Sequence, residues 1–446
     1  MERPGWVSAA LSVGAAAASF CSVYTLSLWF SAGPNAAILS AVLALSFARR
    51  RAEGKGRPWA WELAGILVVG AAAGLVGWLL HAQFWIGAAL FTGALFLSVW
   101  LRRFPGDLGQ LGRILSLPFV AVLIAPGAPH AAGGAGADLF LLLAAALVAF
   151  FWDHLLLVLS QPIAATPTYV PPVRPTDPKL MPASTRMAAQ MGVALAAAFL
   201  LGRFLFPVHW GWVVLTAFIV CSGAIGRGDA AYKGVLRFGG ALLGALAAAA
   251  LEYVFVPHGA TAAVLIFAAL FVGTWLREGN YAWWAACVTL VVALLSESSG
   301  LPVGALLAQR LLAIAVGAVC GIAACWFVLP IKTTAVVRRR VADALLALEE
   351  LASASAAERD QKRRAFAHAA AECRRVAPPV QWHRRLSRAT HDAEHPGVWL
   401  GIIESLVPPA TAQPELVKAV RFSRKALKEG QGLTPALRKV EALLVA

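Results

Sequence analysis

Residues 210–255 read WGWVVLTAFIVCSGAIGRGDAAYKGVLRFGGALLGALAAAALEYVF. A tryptophan-bearing apolar run leads into a polar, glycine-containing turn with Asp229 and Lys233. Arg237 and a second apolar run, rich in Gly and Ala, follow. Gly240 and Gly244 let helices approach closely inside a membrane, where packing rather than the hydrophobic effect drives association. Outward from this stretch, apolar runs near 20 residues recur, enough to cross a hydrocarbon core about 30 Å thick. The 446 residues are 59% hydrophobic and 14% charged, against roughly a quarter charged in a soluble domain. The expected fold is all-α and polytopic.

Twelve spanning segments are expected. The first six lie at about 7–30, 34–48, 61–81, 84–101, 113–127 and 137–160. The second six lie at about 186–206, 210–225, 235–256, 261–277, 280–296 and 303–329. Loop charges test the count. With the N-terminus inside, the inner loops hold Arg49, Arg50, Arg51, Lys55 and Arg57; then Arg102, Arg103 and Arg113; then Arg174, Lys179 and Arg186. Arg227, Lys233, Arg237, Arg277, Lys332 and Arg338–Arg340 continue the series, and the outer loops carry no Lys or Arg. That is the positive-inside pattern. The net charge of +15 therefore reports orientation, and no nucleic-acid partner is expected.

The halves resemble one another. Trp100-Leu101-Arg102 matches Trp275-Leu276-Arg277, Gly65 and Gly70 match Gly239 and Gly244, and Trp152 matches Trp326, all at a nearly constant offset. An even number of helices per copy makes the repeats parallel, related by an axis along the membrane normal. The expected organisation is a first six-helix repeat over 1–160, a Pro-rich cytoplasmic connector over 161–185, a second repeat over 186–330, and a cytoplasmic helical domain over 331–446. Within the last, helical spacing is expected over 333–352, 357–377, 396–407, 414–429 and 434–445. Both termini are expected in the cytoplasm. The apolar run reaching Phe30 is longer than a signal-peptide core and is expected to be a retained helix. Arg far outnumbers Lys and Ala is abundant, a composition associated with GC-rich bacterial genomes. A bacterial inner (plasma) membrane is the expected location.

Several residues are candidates for chemistry. Charges inside spans are costly and mark a site by default. Arg203, Glu252 and Arg310 fall toward outer helix ends, with Arg310 deepest; they form either an interfacial salt bridge or an anion-attracting vestibule. Lys233 and Arg237 are candidates for the inner mouth. Asp153 and His154 lie in the sixth segment and are proton-coupling candidates, since a histidine beside an acid titrates near physiological pH. Trp210, Trp212, Trp283 and Trp284 either join the interfacial aromatic belt or stack an aromatic substrate. His391, Asp392, Glu394 and His395 read as a solvated turn before Pro396 rather than a metal site. The six cysteines are scattered, with no CxxC pair. No P-loop, nucleophile elbow or HExxH run is present, so neither an enzyme nor a cofactor is expected.

The order Trp212-x-x-Leu-Thr216, an apolar helix, a Gly/Asp turn, then Lys233, Arg237 and the GG-x-x-x-G run resembles the fusaric acid resistance (FUSC) or aromatic acid exporter family. The resemblance covers about 186–256. The first half carries Pro34-Asn35 and Ser40 where the second has His209-Trp210 and Thr216. Many family members carry a large cytoplasmic domain between the halves; this chain has only the proline connector. The resemblance implies efflux of organic anions such as aromatic carboxylic acids, with the bilayer and a small organic anion as partners; Asp153 and His154 add the expectation that this efflux is proton-coupled. A homo-oligomer or a periplasmic adaptor is compatible with it. The alternatives are a passive organic-anion channel and a membrane anchor or scaffold with a basic tail.

Overall fold

The structure is a computed structural model describing residues 5–31, 35–52, 59–104, 134–160, 181–254, 260–277, 279–298, 303–387, 392–409, 411, 413–445 and scattered positions between 106 and 123. All regular structure among them is helical. The chain divides into two units: Met1–Ala165 with Met181–Ser222 and Lys233–Leu329, and Thr166–Leu180 with Gly223–Tyr232 and Pro330–Ala446.

The first unit contains α1 (Gly5–Trp29), α2 (Asn35–Ala52), α3 (Trp59–Ala82), α4 (Phe84–Leu101), α5 (Gly134–Ser160), α6 (Ala183–Leu205) and α7 (Trp210–Cys221). It continues with most of α8 (Arg227–Val254), then α9 (Ala260–Leu276), α10 (Tyr281–Ser298) and α11 (Val303–Phe327). Most are apolar all round, as helices immersed in lipid must be. Trp29, Phe204, Val264, Val319 and Phe327 stand largely exposed, an arrangement untenable in water over so wide a surface. Five helices are long and apolar enough to cross a membrane: Trp6–Trp29, Phe84–Leu101, Ala183–Leu205, Arg227–Val254 and Leu307–Phe327. The other apolar helices are shorter by that measure. The expected segment 113–127 and the connector 161–180 fall largely outside the described residues.

Small residues set the packing. Helices α1, α2 and α5 pack mutually, and so do α6, α7 and α11. Helix α4 packs on α6, and α9 on α1. On α11, a Cβ at Gly317 would lie 2.4 Å from the Val213 carbonyl oxygen, and one at Gly321 would meet Val220. Further along, the Cys221 and Cys325 sulfurs are 3.8 Å apart. Residue numbers rise together on both helices, so α7 and α11 run parallel. Gly240 and Gly244 bring α8 against Ala282, Ala285, Ala286 and Thr289 of α10 in the same manner.

Helix α8 starts at Arg227, eight residues before the expected start at 235. A glycine at positive φ, Gly223, turns the chain tightly enough for the helix to resume at once. Arg237, grouped with the inner-loop charges at the very start of the expected 235–256 segment, therefore sits in the third turn of a helix and is buried.

The second unit is a bundle of α12 (Thr333–Ala352), α13 (Arg359–Leu386), α14 (Pro396–Ser405), α15 (Pro414–Glu429) and α16 (Leu433–Val445). Val337, Val341, Leu345 and Leu348 of α12 recur at helical spacing and form its core with Phe366, Val376, Trp399, Leu400, Val420 and Leu437. Burial pushes the Cys373 thiol up to about 12. Residues 223–232 join this unit. The Arg227 amide donates to the Ile331 carbonyl at 3.1 Å, the Gly228 amide to Thr333 Oγ1 at 3.0 Å, and Tyr232 rests on Trp382.

Helix α13 runs through Pro378 and Pro379, whereas the sequence suggested an end at 377. Each proline removes a helical donor. The deprived carbonyls belong to Arg374 and Arg375, both exposed, while Pro379 and Val380 enter the core. His395 caps α14, its Nδ1 accepting from the Gly397 amide at 3.0 Å, with Pro396 at the first helical position. Among the described residues no group of three His, Cys, Asp or Glu is arranged to hold a metal.

Candidate anion site

Helices α7, α8 and α11 bring together the buried polar groups of the first unit's second half. Arg310 and Gly317 are seven residues apart and share one face of α11. Gly317 packs on Thr216 of α7. Helix α8 returns after a short turn, and its Gly234 sits on Ala318 and Ile322 of α11. Arg237, three residues on, lies on the same face. Thr216, Arg237 and Arg310 thus converge from three helices.

Arg310 is 5% exposed and Arg237 3%. The two like charges lie within electrostatic range of each other. The Arg237 Nε and the Thr216 hydroxyl are buried without a hydrogen-bond partner among the described residues. The Arg310 guanidinium lies over the Trp212 ring at 5.3 Å, and His209 stacks on the same indole at 4.4 Å. His209 also hydrogen-bonds Gln309. Helix α11 contributes Gln309 and Arg310 in succession, the first exposed and the second buried.

An arginine deep in lipid costs about 2.5–3.5 kcal/mol or more unless it is compensated. The only acids of this unit with described side chains are Asp153 and Glu252. Neither pairs with Arg237 or Arg310 among the described residues. Glu252 is exposed at the end of α8, away from the expected salt bridge with Arg203 or Arg310. Arg203 is exposed, its guanidinium over Phe84 at 5.5 Å.

The other candidates lie apart. Lys233 is half-buried, and its ammonium donates to the Ser222 carbonyl at 3.5 Å. Trp210 belongs to an aromatic cluster, with ring centroids 5.2 Å from Phe84 and 5.5 Å from Phe199. Trp284 takes the Arg277 guanidinium at 5.1 Å, and Trp283 is half exposed. Asp153 is buried in α5. His154 is exposed and stacks on Phe150. Adjacent positions on a helix face different ways, so acid and histidine point apart.

Residues 193–324 match the family model described as fusaric acid resistance protein-like, in agreement with the resemblance carried by Trp212, Thr216, Lys233 and Arg237. The match takes in every charged residue discussed here except Asp153 and His154. No curated protein and no solved structure matches the chain.

Proposed function

We propose, with the fusaric acid resistance protein-like match as premise, that this multi-pass membrane protein is a proton-coupled efflux permease for organic anions, aromatic carboxylic acids among them. The observation that carries this reading is the pair Arg237 and Arg310, enclosed in apolar helices with no acid paired to either among the described residues of this unit. A bound carboxylate supplies the missing countercharge, through charge-assisted hydrogen bonds to guanidinium. Thr216, buried on α7, adds a neutral polar group to the same region.

Reciprocal contacts support two copies related by an axis along the membrane normal: α4 on α6, α9 on α1, and two matched trios of helices. In such an arrangement one copy rocks against the other around a central site. Asp153, buried in the first copy, is the proposed proton carrier. The copies thus divide the labour, anion on one and proton on the other. The proposed setting is a bacterial inner membrane, with both termini and the helical unit on the cytoplasmic side.

Growth of a knockout and an overexpressing strain on a panel of aromatic acids, with efflux measured directly, tests the function. Overexpression is expected to lower internal acid by about tenfold, the equivalent of 1.4 kcal/mol. Equal internal acid in both strains across the panel contradicts it. Asp153→Asn is expected to keep expression and lose the response to an imposed pH gradient. An unchanged response removes Asp153 from the coupling.

A further inference from the structure

We infer that the site between α7, α8 and α11 is built for a dianion, an organic acid carrying two ionised groups. The inference rests on the anion site proposed above and goes beyond it to the charge of the ligand. Arg237 and Arg310 are each more than nine-tenths buried, and arginine keeps its charge in any protein environment. The site therefore holds two fixed positive charges that cannot be removed by deprotonation.

Among the described residues of this unit, no carboxylate balances them. Glu252 is exposed at a helix end, and Asp153 belongs to the trio of α1, α2 and α5. A monoanion placed between the arginines leaves one buried positive charge uncompensated. A dianion leaves none. In a low-dielectric site that difference is large, because each unbalanced charge forgoes hydration without a partner. Geometry agrees. The two arginines come from different helices, and the Arg237 Nε and the Thr216 hydroxyl are both buried and unpartnered among the described residues. One carboxylate has a partner in each arginine, with Thr216 free to donate to the nearer one.

Ring-matched probes separate charge from shape. Benzoate and isophthalate (benzene-1,3-dicarboxylate) share a ring and differ by one carboxylate, ionised near neutral pH. Binding of each to the purified full-length protein is read by calorimetry, beside flux in proteoliposomes. Isophthalate is expected to bind at least about tenfold more tightly than benzoate. Arg237→Gln and Arg310→Gln are each expected to shrink that gap to under about twofold, while Arg237→Lys keeps most of it. Benzoate binding as tightly as isophthalate to the wild type overturns the inference and requires no variant to fold. A gap that survives in both glutamine variants, or binding of neither probe, overturns it as well. Preferential isophthalate binding without flux of either probe upholds the dianion site and defeats the transport reading.

Discussion

Arg237 is the residue that the chain's local pattern hides. It follows a polar turn and a lysine, which is how an inner-loop charge looks in sequence. The early start of α8 places it well inside a helix, where it is buried. Arg310 was legible as the deepest charge in an apolar run, since nothing near it in sequence offers a loop. Trp212 was legible as special; its ring holds His209 and the Arg310 guanidinium. In the helical unit, Glu349 accepts from Arg421 Nε at 2.7 Å and from Arg424. Partial burial pushes its carboxyl up, but these hydrogen bonds outweigh burial and hold it below the usual carboxylate range. A depressed folded pKa contributes stability that is present above the unfolded pKa and is lost as pH falls through the folded one. Glu349→Gln is expected to cost about 1–3 kcal/mol near neutral pH. Thermal unfolding of the full chain is expected to show the penalty fading below the ordinary glutamate pKa of about 4.3. A penalty that stays constant into strong acid counts against the ion pair.

At the scale of elements, helix positions were readable because apolar runs and proline breaks are local. The helix ends were less so. The early start of α8 depends on Gly223, and the persistence of α13 through two prolines depends on core burial at Pro379 and Val380. Both are tertiary effects with no local signature. The parallel pairing of α7 and α11 has a direct readout. Mild oxidation of the full chain is expected to join Cys221 to Cys325, whose sulfurs are 3.8 Å apart, linking the proteolytic fragments that contain them. A Cys221–Cys320 link in its place would require a shift of more than one helical turn in register. Gly317→Leu puts a side chain where the Val213 carbonyl oxygen allows none. It is expected to destabilise the protein by about 1–3 kcal/mol, seen as a lower melting temperature in detergent. An unchanged melting temperature contradicts the close packing of these helices.

At the scale of the whole molecule, the offset of about 175 positions in sequence meets the reciprocal contacts of α4 with α6 and α9 with α1. The fourth apolar helix of each half packs on the first helix of the other. The site residues do not repeat with the helices: Ser40 stands near the position of Thr216, and no arginine in the first half answers Arg310. In the proposed function, unlike residues at matching positions let the two halves serve the anion and the proton separately. The most direct test is uphill movement of an aromatic carboxylate in proteoliposomes of the full chain under an imposed pH gradient. The expected result is accumulation against the anion's own gradient, reduced at least about tenfold in both Arg237→Gln and Arg310→Gln. Flux that only runs downhill, ignores the pH gradient and survives both substitutions would contradict the account.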